Sequence, residues 1–104
     1  MKPVRILLGA LREVREAARW YDDQQRGLGR AFVQEVRASL LEIQSHPERF
    51  SRPPGIRVPA SIRRYLMPKF SYMLVYHVGD DELLVLAVCH TARRPGYWRK
   101  RLRA

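Results

Sequence analysis

The sequence predicts an α+β fold in which a helical hairpin packs on a small, mainly antiparallel sheet. Three observations predict it: a short apolar run comes first, two amphipathic helical segments follow, and three strand-like segments come last. Helices and strands grouped in this way, in the order βααβββ, are typical of the class. The chain has 104 residues, of which 46% are hydrophobic, so it is long enough for one domain with a core. The predicted domain spans residues 1–104.

The N-terminal half is predicted to form one strand and two helices. Residues 4–8 are a short apolar run and predict the first strand. Apolar residues then recur at helical spacing from Ala10, and this helix is expected to stop at Arg26-Gly27, since glycine suits a C-cap. A second apolar stripe occupies residues 28–43, and Pro47 ends it because the residue before proline avoids the helical region. The two stripes must face a common partner.

The C-terminal half is predicted to form a loop followed by three strands. Residues 51–60 hold three of the seven prolines and predict the loop. Residues 62–67, 72–78 and 83–90 predict strands, and the turn at Gly79-Asp80-Asp81 joins the last two as a tight hairpin. These strands carry apolar residues on both faces. We therefore expect the second face of the sheet to be covered, either by the chain or by a partner.

The charge of the chain favours an acidic partner, such as nucleic acid, an anionic lipid surface or an acidic protein. The net charge is +10, and residues 51–104 contribute eleven basic and three acidic residues, a balance of +8. Seventeen of the twenty cations are arginine. Arginine binds carboxylates and phosphates through paired hydrogen bonds, but it keeps its proton and is a poor general base. The basic half is therefore predicted to dock a partner rather than to catalyse.

The sequence indicates no metal, cofactor or membrane segment. His46, His77 and His90 have no second ligand at close spacing, and the single Cys89 excludes an internal disulfide or a cysteine-rich metal site. The two glycines of Gly27-Leu28-Gly29 lie between helices and do not form a phosphate-cradling loop. No uncharged stretch approaches the roughly 20 apolar residues of a membrane span, and no signal peptide is recognisable. We expect a cytoplasmic protein without a metal or cofactor.

The densest group of chemically capable residues follows the last predicted strand. Arginines such as Arg93 and Arg94 can neutralise a phosphate, aromatic rings can stack a splayed base, and His90 or Tyr97 can move protons. Ordinary structural roles also suit these positions. Trp98 suits the edge of a core, His90 suits a strand-end hydrogen bond, and the two arginines fit ligand binding and solvated surface equally well.

Six short motifs occur in order along almost the whole chain. They are Trp20-Tyr21, Gly27-Leu28-Gly29 with Phe32, Arg64-Tyr65-Leu66, Phe70 to Tyr76, Val85 to His90, and Arg94 to Trp98. In this order and with these gaps, the sequence resembles the ParE branch of the RelE/ParE toxins. The resemblance implies the βααβββ fold and the toxin of a bacterial type II toxin–antitoxin pair, the kind that stabilises plasmids and arrests growth.

The resemblance leaves two activities open. ParE-like members poison DNA gyrase, whereas RelE-like members are ribosome-dependent endoribonucleases that cut mRNA without a metal, using lysines, arginines and a C-terminal tyrosine. Where RelE-like enzymes supply lysines, this sequence has arginines, which are poor proton acceptors. We therefore favour a gyrase inhibitor. For a nuclease, the catalytic candidates are His90, Arg94 and Tyr97, and a basic module that only binds nucleic acid is a third alternative.

Either toxin requires a partner that neutralises it, and the charge of the chain predicts a cognate acidic antitoxin. Its acidic residues would pair with arginines and its apolar residues would cover an exposed apolar patch. The candidate residues for antitoxin or target binding are Arg63, Arg64, Arg93, Arg94, Tyr97, Trp98 and Arg99. The expected assembly is a toxin–antitoxin hetero-oligomer, and the expected target is DNA gyrase or, in the nuclease alternative, the ribosome and its mRNA.

Overall fold

The computed structural model describes residues 1–103 and consists of two helices packed on a four-stranded sheet. The elements are β1 (Val4–Ile6), α1 (Leu8–Gln24), α2 (Leu28–Ser45), β2 (Ile62–Leu66), β3 (Tyr72–Val78), β4 (Leu83–His90) and a C-terminal 3-10 helix (Tyr97–Arg103). The sheet order is β1-β4-β3-β2, with β1 parallel to β4 and the other pairs antiparallel. The predicted α+β class and βααβββ order are confirmed, and the 3-10 helix is an addition to them.

The boundaries around the first helix differ from the prediction. Strand β1 is shorter than predicted because α1 already begins at Leu8, and the amide of Leu11 donates to the carbonyl of Leu7 at 3.0 Å. At the other end α1 stops at Gln24, and Gly27 is the N-cap of α2 rather than the C-cap of α1. Its φ of 91° lies in the left-handed region that glycine adopts without strain.

The helical hairpin is held closed by an aspartate and a glycine. One carboxylate oxygen of Asp22, near the end of α1, accepts hydrogen bonds from the amides of Gly27 and Gly29 at 2.9 and 3.2 Å. This places a negative charge at the N-terminus of α2, where the free amides favour it. A Cβ atom on Gly29 would lie only 2.3 Å from the carbonyl oxygen of Ala18. The two helices therefore approach each other backbone to backbone at this position.

One face of the sheet forms the main core with the helical hairpin. Its fully or nearly buried members are Ala10, Ala17, Phe32, Val36, Ile43, Met67, Leu74, Tyr76, Leu83, Val85 and Val88. The phenol of Tyr76 is buried there and donates a 2.6 Å hydrogen bond to the carbonyl of Pro47, just beyond α2. The apolar stripes of both helices thus face the sheet, as predicted.

The opposite face of the sheet is also buried, and the chain itself covers it. The second buried cluster consists of Ile62, Met73, Val75, Leu86, Ala87, Cys89 and Trp98. Ile56 and Val58 of the proline-rich loop and Leu102 of the 3-10 helix pack against this cluster. A β-bulge leaves Leu86 without a partner on β3, and so Leu86 and the adjacent Ala87 both face this cluster.

Candidate functional site

A carboxylate on α1, that of Glu13, accepts several hydrogen bonds from the C-terminal segment, which we define as residues 91–103. Glu13 Oε1 accepts hydrogen bonds from the amide of Val88 and from Arg101 Nη1, each at 3.0 Å. Glu13 Oε2 accepts a hydrogen bond from the hydroxyl of Tyr97 and lies 3.3 Å from both Arg93 Nη1 and Arg101 Nη2. The Glu13 side chain is only 10% exposed. These five residues form a compact network that we call the Glu13 cluster.

The ring of Tyr97 is the aromatic part of the Glu13 cluster. The guanidinium carbons of Arg93 and Arg101 lie 3.7 and 5.3 Å from the ring centroid, within the range of cation–π attraction. Burial and the hydrogen bond to Glu13 raise the pKa of Tyr97 far above its usual value. The phenol therefore stays protonated at neutral pH and acts as a hydrogen-bond donor. Burial likewise raises the pKa of the neighbouring Cys89 to about 11.

Of the remaining candidate residues at the end of β4 and beyond it, one lies in the core and the others lie at the surface. Trp98 is 1% exposed and packs in the second core, in agreement with the structural interpretation of this residue. His90 is exposed at the end of β4, and its Nδ1 accepts a 3.0 Å hydrogen bond from the amide of Ala92, the predicted strand-end role. Arg94 and Arg99 are both exposed at the surface.

Arg63 and Arg64 lie apart from the C-terminal segment, because β2 is the edge strand and β3 separates it from β4. Arg63 donates a 2.7 Å hydrogen bond to the carbonyl of Phe50 and so ties the loop after α2 to the sheet. Arg64 lines a groove of about 250 Å³ together with Arg49 and Leu66, and Leu66 is 49% exposed. We call this the Leu66 groove. The exposed members of the predicted binding set thus occupy two separate surfaces, whereas Trp98 is buried in the second core and is not available at either of them.

A larger groove opens between α1 and the end of β4. Its volume is about 460 Å³, and its lining includes Trp20, Tyr21, Tyr72, His90 and Arg93. The indole of Trp20 is 57% exposed there. We call this the Trp20 groove. It lies beside the part of β4 that β1 leaves uncovered, since β1 pairs only with residues 83–85.

Comparison with known proteins adds the decisive observation. Residues 4–95 match the family model described as ParE toxin of type II toxin-antitoxin system, parDE. The chain belongs to the ParE toxin family. A solved structure titled "Chromosomal ParDE TA system from P. aeruginosa" is similar to it with a TM-score of 0.65 and 11% sequence identity, over 86% of this chain and 96% of that one. At this identity the likeness concerns the fold. No curated protein sequence matches the chain.

In this ParE-family toxin, the match ends just before the 3-10 helix. Tyr97 and Arg101 therefore lie beyond the matched residues, although they contribute much of the Glu13 cluster. Sequence reasoning missed Glu13 and Arg101, because nothing distinguishes one glutamate among the charges of α1. It placed Trp20 on the apolar stripe of the first helix and in the first motif, not among the binding residues. The exposure of a tryptophan on an otherwise apolar stripe becomes visible only once α1 is packed.

Within residues 1–103, the ParE-family toxin has no helix that combines the length and apolarity needed to cross a membrane. The same residues bring together no group of three histidine, cysteine, aspartate or glutamate side chains suited to holding a metal ion.

Proposed function

We propose that this toxin inhibits DNA gyrase by binding it, and that an acidic antitoxin neutralises the toxin. The observation that supports the proposal is which residues after β4 contact Glu13 and which remain exposed. Tyr97 and Arg93 are engaged by Glu13, while Arg94, Arg99 and Lys100 remain at the surface as cations. The segment therefore suits docking on a large target or its DNA better than proton transfer.

The nuclease alternative has less support from this geometry. Its tyrosine would have to exchange protons, but the phenol of Tyr97 donates to Glu13 and its pKa is raised by burial. Its histidine, His90, already accepts a hydrogen bond at Nδ1 from the amide of Ala92. A general base needs a free acceptor with a pKa near the working pH. These features favour binding over catalysis.

Purified toxin tests the target directly. We expect it to inhibit supercoiling or to stabilise gyrase–DNA cleavage complexes at micromolar concentration. The variant that replaces Arg94, Arg99 and Lys100 by alanine should inhibit at least about tenfold less, because each cation lost removes part of the attraction to an anionic surface. The matched control replaces the exposed Arg26, Arg30 and Arg37 of the helical hairpin by alanine and removes the same charge. It should retain inhibition.

Two results would refute the proposed target. In the first, gyrase is unaffected while induced cells still stop growing. In the second, primer extension on mRNA from induced cells finds new 5′ ends within codons, which is the outcome that the nuclease alternative predicts. Equal losses in the two triple variants would show that only net charge matters and would contradict the assignment to the C-terminal segment.

For the antitoxin, we propose that an acidic segment with apolar anchors binds the two grooves. Each groove combines an exposed apolar side chain with an arginine: Trp20 with Arg93, and Leu66 with Arg64. Removal of a hot-spot side chain from the centre of an interface typically costs about 2 kcal/mol or more. We expect Trp20→Ala and Leu66→Ala each to weaken the complex with the co-expressed antitoxin at least about tenfold.

A control for this interface is Leu41→Ala. Leu41 is 63% exposed on α2 and lines neither groove, so its removal should leave antitoxin affinity unchanged. Titration calorimetry or a competition assay would measure all three variants. Equal affinities for wild type, Trp20→Ala and Leu66→Ala would exclude both grooves as the antitoxin interface.

A further inference from the structure

We propose that Glu13 is a positioning residue of this toxin. It holds the C-terminal segment in one conformation and thereby sets where the surface cations Arg94, Arg99 and Lys100 lie. The functional part of this inference rests on the proposed docking role of those cations. The structural part concerns the chain alone.

The hydrogen bonds of Glu13 run mainly to the C-terminal segment. A carboxylate offers about four acceptor positions, and those of Glu13 are taken by the amide of Val88 and by the side chains of Arg93, Tyr97 and Arg101. Three of these four donor residues belong to the segment. Hydrogen bonds to an ionised acceptor are roughly twice as strong as neutral ones. Glu13 thus supplies the polar attachment of the segment to α1, in addition to the apolar contacts of Trp98 and Leu102 with the second core.

The cluster also completes the exposed edge of β4. Beyond residues 83–85 the strand has no partner strand on the β1 side among the described residues, and there the amide of Val88 donates to Glu13. The carbonyl of Leu86 accepts a 2.8 Å hydrogen bond from Arg101 Nη1. Unpaired backbone groups at a sheet edge are costly when buried, so Glu13 and Arg101 satisfy the edge together. The contacts that attach the segment therefore also satisfy backbone groups at the free edge of β4.

The 3-10 helix determines which side chains of the attached segment face the protein and which are exposed. With about three residues per turn, Trp98 and Arg101 lie on the same side, which faces the protein, and Arg99 and Lys100 are exposed. A Cβ atom on Gly96 would lie 2.9 Å from Arg99 Nε, which shows that the Arg99 side chain folds closely over this glycine. Glu13 pairs with two cations, Arg93 and Arg101, while Arg99 and Lys100 lie on the exposed side of the same 3-10 turn.

Hydrogen exchange of the full chain tests the structural part. In Glu13→Gln, the amide group of glutamine presents donors to Tyr97 and the arginines, so we expect amides of residues 93–102 to exchange about tenfold faster or more. Amides of α2 should keep their wild-type rates. The control Glu42→Gln removes an equal charge from an exposed position of α2 and should change neither region. Unchanged exchange in residues 93–102 of Glu13→Gln would overturn the proposal.

If Glu13→Gln does not fold, Tyr97→Phe provides the same test with one donor removed. Its expected acceleration is smaller, about threefold, and it should again be confined to residues 93–102. Acceleration that is equal throughout the chain would overturn the proposal, because a general loss of stability does not distinguish the segment from α2.

A double-mutant cycle on gyrase inhibition tests the positioning role. In the wild-type background, replacing Arg99 and Lys100 by alanine should raise the inhibitory concentration about tenfold; with Glu13→Gln also present, the same replacement should raise it less than about threefold. A merely structural loss would lower the active fraction and leave the tenfold ratio intact, which would overturn the positioning role. If wild-type toxin does not inhibit gyrase, the proposed function fails while the exchange experiment still decides the role of Glu13.

Discussion

Replacement of Gly29 by alanine should strongly destabilise the fold, because the two helices touch at this residue. The added Cβ atom would lie 2.3 Å from the carbonyl oxygen of Ala18, 3.1 Å from its carbonyl carbon and 3.1 Å from the Cβ atom of Asp22. An ordinary contact requires more than about 3 Å, so α1 and α2 must separate by roughly an ångström, and the obstacle is backbone rather than a flexible side chain.

The magnitude follows from three contributions. Overpacking of this kind costs about 1–3 kcal/mol. Separation of the helices also weakens the hydrogen bonds that Asp22 accepts from Gly27 and Gly29, each a bond to a charged acceptor worth about 1.5–3 kcal/mol when fully made. Alanine recovers up to about 1 kcal/mol over glycine in a helix. We expect a net loss of about 2–3 kcal/mol in the free energy of unfolding.

Urea denaturation followed by far-ultraviolet circular dichroism measures this loss. With a slope of about 1–3 kcal/mol per molar urea for a small domain, the midpoint should fall by about 0.7–3 M at an unchanged slope. The control is Gly27→Asn in the same turn. Gly27 has a φ of 91°, and a Cβ atom there would meet no atom of the described residues within 4 Å apart from its chain neighbours; asparagine also tolerates the left-handed region. A loss below about 0.5 kcal/mol for Gly29→Ala, or one no larger than for Gly27→Asn, would refute the role of close helix contact.

Three further substitutions have defined expectations, each measured by urea denaturation. Since burial raises the pKa of Cys89 from 9.0 to about 11, the folded state holds this proton more tightly than the unfolded chain, and stability is full below pH 9 and falls as the pH rises towards 11. At about 1.36 kcal/mol per pKa unit, the loss from this group between pH 8 and pH 10 is about 1.3 kcal/mol, and Cys89→Ala should lose that much less than wild type; equal losses would contradict the assignment. Trp98→Ala should cost about 3–5 kcal/mol because it opens the core beneath the C-terminal segment, and a cost under about 1 kcal/mol would show that the indole is not packed. Tyr76→Phe should cost about 1–3 kcal/mol by leaving the carbonyl of Pro47 without its donor, and a neutral result would mean that water replaces the phenol.

Much of the architecture was predictable because it depends on local periodicity. Apolar spacing of three and four residues identified α1 and α2, and apolar runs with a turn at residues 79–81 identified β3 and β4. The boundary at Gly27 was wrong because glycine serves both ends of helices, and the left-handed Gly27 caps α2. The motif order also predicted the family that the match over residues 4–95 shows.

The candidate site was predictable in its residue types but not in its contacts. Arg93 and Tyr97 were identified from their clustering after β4, and Trp98 was correctly interpreted as a core residue. That Tyr97 and Arg93 bind a carboxylate on α1 was not foreseen. The sequence named Tyr97 as a candidate for catalysis or binding and Arg93 as a candidate for binding, and only the fold shows that both contact Glu13.

Sequence periodicity therefore established the fold class, the order of six short motifs carried the family resemblance, and composition established the basic character of this toxin. None of the three requires knowing which distant residues meet. The tertiary structure established which cations of the C-terminal segment contact Glu13. Glu13 meets its arginine and tyrosine donors across separations of 80 to 88 residues, and that meeting requires the packing of α1 beside β4 and the docking of the 3-10 helix. Such contacts depend on the register and packing of distant elements, which no local pattern encodes.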